Sequence, residues 1–283
     1  MRAGLELWAR QAGARLIMQD DRSDPARAAR LHEQLARRCR LVLGPYGSDS
    51  TRAVARVAGA VWNHGGAADD VQRLPGVVSV PSPASRYLVA LGRAVSALRP
   101  GARVAVVAAT GRFAAFAREG LAREAPALGI ELVSAPEGAD AVLLCGPLEW
   151  ELETFRRIGP RRTLLGGVSP GLAAFADVLG RDPDGFLAPV QWHPDLRFPV
   201  ELGPEHVELD DYVAAQAYAA ALVAARCLEL ESDVPLAAAR TLRTTTFFGH
   251  FELDPASGLQ RGHRLAVVRW RRGKRALLLA EAA

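Results

Sequence analysis

Leu41-Val42-Leu43-Gly44-Pro45-Tyr46-Gly47-Ser48-Asp49-Ser50-Thr51, continued by apolar residues at helical spacing to Ala55, is the stretch from which the fold is read. Three β-formers suit a short buried parallel strand, and the glycines and proline end it. Ser48, Asp49 or Ser50 then stands where it can cap the following helix. Such a strand-turn-helix corner aims backbone N–H groups and small hydroxyls at one spot, which suits a carboxylate or another small polar ligand. The same residues also read as a plain helix cap, so the flanking sequence has to decide.

Upstream, Leu5, Trp8, Ala9 and Ala12 recur at helical spacing, Gly13 ends that helix, and Arg15 to Gln19 reads as a strand. Asp24 caps and Pro25 opens a helix to about Arg38, with Ala28, Leu31 and Leu35 on one face. The opening is therefore α-β-α-β-α, the alternation of a parallel sheet covered by helices. Downstream, Val61-Trp62-Asn63 runs into the small-residue turn His64-Gly65-Gly66-Ala67, Val77 to Val80 is a further strand, and a helix spans Ala84 to Leu98. Arg99-Pro100-Gly101 is a clear break, after which the pattern restarts. Strands are expected at Val104–Ala108, Ile130–Val133, Ala141–Cys145, Thr163–Leu165 and Gly185–Val190, with helices near 112–125 and 149–158. The restart implies a second α/β lobe. A long apolar helix, Asp211 to Leu230, and a β-rich ending follow. That ending comprises Phe247 to Leu253, Leu265 to Trp270, an Arg271-Arg272-Gly273-Lys274 turn and Ala276 to Leu279.

Length agrees with this division, since 283 residues exceed the usual single-domain size of roughly 100–150. The formal charge is +4, but Lys274 is the sole lysine, the arginines are scattered among acids, and aromatic residues do not interleave with basic stripes. Nucleic acid is therefore not an expected partner. Cys39, Cys145 and Cys227 are far apart and outside any metal-type spacing, and Cys145 reads as a buried small hydrophobe. No apolar run reaches the roughly 18–20 residues that cross a bilayer, and the first ten residues carry charges where a signal peptide has its apolar segment.

Other chemistries are weaker. Gly167-Val168-Ser169-Pro170-Gly171 follows a strand and fits a Gly-x-Ser-x-Gly nucleophile elbow, with His250 or His263 as partners on paper. In that elbow the residue after serine donates its N–H to the oxyanion, and Pro170 has none. His64 with Asp69 and Asp70, or His193 with Asp195, lacks the spacing that puts two metal ligands on one helix face. Gly44 to Gly47 lacks the lysine of a phosphate loop. No metal or cofactor is expected. The 62–66 turn reads as a cleft wall because glycine permits close approach of a ligand. Trp192 either stacks on a ligand or plugs a hinge.

Gln19-Asp20-Asp21-Arg22-Ser23-Asp24-Pro25 with its alanine-rich helix, then Leu43-Gly44-Pro45-Tyr46-Gly47-Ser48, resembles the type I periplasmic substrate-binding proteins of the branched-chain amino acid transport group. Asp211-Tyr212 with Ala217-Tyr218-Ala219-Ala220, and Phe248 to Asp254 with Gly258 and Gly262, are similar to that family's last helix and closing strands. The likeness runs in order along nearly the whole chain.

It implies an α/β fold of two Rossmann-like lobes that close on a ligand: residues 1–98 with 207–245, and residues 99–206 with 246–283. Ser48 falls where the family binds the ligand's carboxylate, Gly65, Gly66 and Ala67 where a second turn supplies backbone groups, and Phe113 where the second lobe offers a tyrosine. Tyr46, Ser50, Asp69, Ser169 and Trp192 complete the expected ligand-binding set. The second-lobe turn Gly166 to Gly171 has no acid to face an ammonium, for which Asp69 or Asp70 could substitute, so the ligand is an amino acid, an amide, or a neutral or aromatic relative. The implied function is a non-enzymatic solute-binding protein, monomeric or weakly dimeric, partnered by an ABC transporter permease and periplasmic or extracellular. The alternatives are a cytosolic ligand sensor of the same fold and, less favoured, a hydrolase using Ser169. The family's first strand lies mid-sheet ahead of the residue corresponding to Met1. The segments at Leu16 and Leu41 are accordingly expected either to flank a gap or to pair directly.

Overall fold

The computed structural model describes residues 1–158, 163–231, 233 and 235–280. The chain divides into two compact units, one of Met1–Pro83 with Leu196–Arg264 and one of Ala84–Asp195 with residues 265–280. The helix following residue 84 thus groups with the second unit, and the 243–252 hairpin with the first.

The first unit opens with α1 (Arg2–Gln11), α2 (Pro25–Ala36), α3 (Ser48–Val54), β1 (Val61–Asn63), α4 (Asp69–Gln72) and β2 (Val77–Ser79). Asp24 caps α2 as its sequence predicts, accepting the N–H groups of Ala26 and Arg27. β1 and β2 pair in parallel, and Val54, Val61, Val77 and Ala28 form the small core beneath them. The second unit contains α5 (Tyr87–Leu98), β3 (Arg103–Ala108), α6 (Arg112–Leu128), β4 (Glu131–Val133), β5 (Ala141–Cys145), α7 (Leu148–Ile158), β6 (Leu164–Gly167), α8 (Phe175–Leu179) and β7 (Leu187–Val190). The chain then returns to the first unit for α9 (Tyr212–Leu230), α10 (Pro235–Thr241), β8 (Arg243–Thr246) and β9 (Gly249–Glu252). It ends in the second unit with β10 (Ala266–Arg271) and β11 (Lys274–Ala280).

The second unit carries a seven-stranded sheet in the order β11-β10-β7-β6-β5-β3-β4, parallel from β4 to β7 and antiparallel at β10 and β11. Its parallel part has the doubly wound order 2-1-3-4-5, with β3 between β4 and β5. All of β5 is buried, which explains its unbroken apolar sequence: helices cover both faces of a central parallel strand. Phe155, Phe175, Phe186 and Trp270 cluster on one face, the Phe155 and Phe186 rings lying 4.7 Å apart. The β10–β11 turn places Arg272 at φ 51° and Gly273 at φ 72°, as a tight hairpin requires.

In the first unit several expectations change. Arg15 to Gln19 joins no ladder, and the Leu41–Leu43 strand shrinks to one parallel bridge between Leu43 and Trp62. A strand persists only where its backbone finds partners. These two segments, with Met1, Leu5 and Trp8, line a cavity of about 850 Å³ and do not pair with each other. The cap of α3 is Gly47, at φ 96° and without a side-chain hydrogen bond, in place of Ser48, Asp49 or Ser50. The strand placed at Phe247 to Leu253 is a hairpin, because Thr246 to Gly249 turns and Arg243 to Thr246 supplies the other arm. By length and mean hydropathy α9 is apolar enough to cross a membrane, yet its small residues are buried and its flank packs on α1. Close approach explains Gly4, where a Cβ would stand 2.0 Å from the Ala214 carbonyl oxygen.

Candidate functional site

Two turns of the first unit follow consecutive β segments at their carboxyl ends, the place where open α/β sheets bind ligands. The first runs from Gly44 to Ser50 and the second from His64 to Asp69. Gly44 and Gly47 adopt φ values of 92° and 96°, which a side chain would strain. Asn63, fully buried at the end of β1, organises the second turn. Its Oδ1 accepts the N–H groups of Gly65 at 3.1 Å and Gly66 at 2.7 Å. Its Nδ2 donates to the Gly66 carbonyl and the Ser79 hydroxyl, both at 2.7 Å. The Thr51 hydroxyl donates to the Gly47 carbonyl at 2.8 Å, which fixes the start of α3.

Ser48 and the 65–68 turn come together: the Ser48 hydroxyl accepts the Ala68 N–H at 3.1 Å. Ser50 and Ala67 are buried beside them. The glycines of the second turn are set by packing within the unit. A Cβ on Gly65 would meet the Tyr46 ring at 2.2 Å, and one on Gly66 would meet the Thr51 hydroxyl at 2.6 Å. Tyr46 remains 40% exposed, with its ring 6.4 Å from that of His64. Asp69 is buried in the first turn of α4, whereas Asp70 is held by Arg52 at 2.9 Å. His64 is 3% exposed and its Nδ1 has no hydrogen-bond partner. Burial, aided by the positive charge of the Met1 amine, pushes the His64 imidazole down to about 4.

In the second unit Phe113 lies in the first turn of α6 and packs edge-on against Tyr87, ring centroids 5.1 Å apart. The Tyr87 hydroxyl accepts from Gln191 at 2.6 Å, and Trp192, the next residue after Gln191, is 3% exposed. Ser169 is also buried, and Glu151, an acid on the apolar stripe of α7, takes its hydrogen bonds. The Glu151 carboxylate accepts the N–H groups of Gly146 at 2.9 Å, Val168 at 3.3 Å and Ser169 at 2.8 Å. Burial raises this carboxyl to about 7 against the pull of those donors. The Ser169 side chain is thus bonded to an acid, and the Pro170 carbonyl accepts from the Trp270 indole at 2.7 Å. His193 bridges locally, its Nε2 lying 3.2 Å from the Arg275 carbonyl. Among the described residues no three His, Cys, Asp or Glu side chains gather as a metal site.

Sequence reading missed the roles of Asn63 and Glu151. Glu151 had a signal, since it shares a helix face with Leu148, Leu152 and Phe155, where an acid is out of place. Asn63 had none beyond its position at a strand end.

No family model matches the chain, and no curated protein does. Solved structures do. A leucine-binding protein, LivK, of Thermotoga maritima superposes with a TM-score of 0.79 at 14% identity, over 98% of this chain and 92% of that one. A solute-binding protein of an R. palustris ABC transporter, in complex with 4-hydroxybenzoate, gives 0.77 at 15% identity, covering 99% and 90%. The branched-chain amino acid substrate-binding protein LivJ of Streptococcus pneumoniae, in complex with isoleucine, gives 0.76 at 15%, covering 99% and 93%. The chain therefore has the type I periplasmic binding protein fold expected from its sequence.

Proposed function

We propose that the chain is the solute-binding component of an ABC transporter, a receptor without catalytic activity that delivers a small molecule to a membrane permease. The fold it shares with transporter proteins for amino acids and benzoates supports this role. The observation that carries the reading is the second turn, braced by Asn63 and joined to the first by the Ser48–Ala68 bond. Together they hold small residues and backbone groups rigidly at the carboxyl ends of two β segments, a preorganised surface of the kind that orients a carboxylate or amide. Ser48, Gly65, Gly66 and Ala67 are assigned to that ligand, with Tyr46, Ser50 and Asp69 around it. Phe113, Ser169 and Trp192 are the second unit's assigned residues. With Asp69 the one charged side chain among them, the assigned residues favour an amino acid, an amide or an aromatic acid over a highly charged solute.

A thermal-shift screen tests the proposal, because a ligand that binds only the folded state raises its melting temperature. The panel comprises leucine, isoleucine, their amides, benzoate and 4-hydroxybenzoate. A shift confirmed by calorimetric titration at 1:1 stoichiometry is the expected result. No binder in the panel, together with an esterase turnover that Ser169→Ala abolishes, would overturn it.

A further inference from the structure

Glu151 lies in the second unit where the loops after two neighbouring strands meet. Its carboxylate accepts from Gly146 at the end of β5 and from Val168 and Ser169 just past β6. Both loops stand at the carboxyl ends of parallel strands, where open α/β sheets bind ligands. Gly167 lets the carboxyl come close to the backbone, since a Cβ there would stand 2.8 Å from Oε2. The rest of the turn is held by its carbonyls, Pro170 accepting from the Trp270 indole and Gly171 from the Arg275 guanidinium. All of these bonds fix backbone. The Ser169 hydroxyl, which also bonds Glu151, is the one polar side-chain group of residues 166–171.

Three of the four partners of the Glu151 carboxyl are N–H groups, which only donate, whereas the hydroxyl can also accept. Oε1 takes two of the N–H groups and Oε2 one, so Oε2 is the oxygen with room for a proton. An ionised carboxylate only accepts, and the Ser169 hydrogen is tied to it. A neutral carboxyl donates from Oε2 to the Ser169 oxygen, which releases the serine's own hydrogen to point elsewhere.

The surrounding charges leave that choice to the site itself. On α7, Glu149, Glu153, Arg156 and Arg157 are exposed, as is Asp177 on α8. Arg181, beyond α8, donates to the Phe155 carbonyl at 3.0 Å and lies over the Phe186 ring. Arg275 on β11 is directed at the Gly171 carbonyl, and β6 carries no titratable residue. On β5 the titratable neighbour is Cys145, whose thiol is held above its ordinary range by burial and by the Glu151 charge, and so stays neutral. Burial, opposed by the hydrogen bonds, leaves the Glu151 carboxyl at about 7, where both forms are populated in neutral solution.

We propose that Glu151 is a proton-operated selector for the solute that meets Ser169, an inference that rests on the assignment of Ser169 to the ligand. Ionised Glu151 leaves the serine oxygen as an acceptor, suited to the N–H groups of an amide. Neutral Glu151 turns the serine hydrogen outward as a donor, suited to a carboxylate. Coulomb repulsion acts in the same sense, because an anionic solute near the turn disfavours a second negative charge. Capture of a carboxylate therefore takes up a proton, and capture of an amide does not.

The first measurement needs no ligand. In a carbon-13 titration of the intact chain, the Glu151 midpoint is expected to rise by about one pH unit in Ser169→Ala, because the ionised form loses a donor. The second is calorimetric titration with benzoate and with benzamide at pH 6 and pH 8, between which neither probe changes charge. Benzoate is expected to bind about three- to tenfold tighter at pH 6, with proton uptake read from the dependence of the heat on buffer, and benzamide to bind tighter at pH 8. Glu151→Gln, whose amide can donate to Ser169 as the neutral acid does, is expected to hold benzoate equally at both pH values. A midpoint that Ser169→Ala leaves unmoved overturns the proposal even where both probes bind, in which case the assignment of Ser169 to the ligand survives. The same pH dependence for both probes, or a benzoate profile that persists in Glu151→Gln, also overturns it. Binding of neither probe, with a midpoint that does move, counts against the assigned ligand site and upholds the exchange between Glu151 and Ser169.

Discussion

The Ser48 hydroxyl accepts the backbone N–H of Ala68 at 3.1 Å, across the mouths of two turns twenty residues apart in sequence. This bond gives Ser48 a structural task that exists before any ligand arrives. Ala68 is fully buried, so removing the hydroxyl strands a buried donor, at a cost of about 1–3 kcal/mol. Ser48→Ala is therefore expected to lower the unfolding free energy by about 1–2 kcal/mol in ligand-free protein, measured by urea titration. A variant as stable as the parent would show that water replaces the hydroxyl. Any loss of ligand affinity in Ser48→Ala is then to be read against this baseline.

Asn63 makes the stronger demand. Its side chain satisfies Gly65 N–H, Gly66 N–H, the Gly66 carbonyl and the Ser79 hydroxyl at once. Asn63→Leu, close in size, leaves these groups buried without partners and is expected to destabilise the first unit by about 3 kcal/mol or more. Asn63→Asp keeps the acceptor for both glycine amides but sets an oxygen against the Gly66 carbonyl, so an intermediate loss is expected. Denaturation midpoints of the two variants rank the donor and acceptor halves of the amide, and equal losses would contradict this division.

Much of the fold was legible because periodic apolar runs dominate it. The end of α5 at Arg99-Pro100-Gly101, the buried run of β5 and the Asp24 cap of α2 follow directly from residue chemistry. The first unit was harder. Leu41-Val42-Leu43 is a strand by propensity, but a strand needs neighbours, and Arg15 to Gln19 lies across a groove from it. Gly47 displaced the serines as the cap of α3 because its positive φ leaves the Ser48 hydroxyl to reach Ala68. The glycines at 65 and 66 were visible as a tight turn, while their packing against Tyr46 and Thr51 depended on contacts no local pattern encodes.

His64 provides a pH test of the first unit. Its imidazole is pushed down to about 4 by burial, whereas an unfolded histidine titrates near 6.5. Above about pH 6.5 it is neutral in both states and contributes no pH dependence. As pH falls from about 6.5 to about 4 the unfolded chain takes up a proton that the folded chain refuses, and stability drops by about 3 kcal/mol in all. His64→Gln is expected to flatten that slope in the exchange rates of first-unit amides. A slope that persists in the variant would assign it to another group.

Glu151 works in the opposite direction in the second unit. Its carboxyl is raised to about 7 by burial, against an unfolded value near 4.5. Below about pH 4.5 it is protonated in both states. As pH rises from about 4.5 to about 7 the unfolded carboxyl ionises while the folded one holds its proton, so stability falls by about 3 kcal/mol across that interval and no further above it. Because His64 costs stability as pH falls through much of the same interval, global melting of the chain should be nearly flat between about pH 5 and 6.5. Residue-resolved exchange separates the two: first-unit amides should be protected better at pH 6.5 than at 5, and second-unit amides better at 5 than at 6.5. Glu151→Gln removes the titrating proton and keeps an acceptor oxygen for the Gly146 and Val168 amides, which share Oε1, at the expense of the Ser169 amide, which pairs with Oε2. It should abolish the second-unit slope and leave that of the first unit intact. A carbon-13 titration of the Glu151 carboxyl with a midpoint near 4.5 would show instead that the three N–H donors outweigh burial.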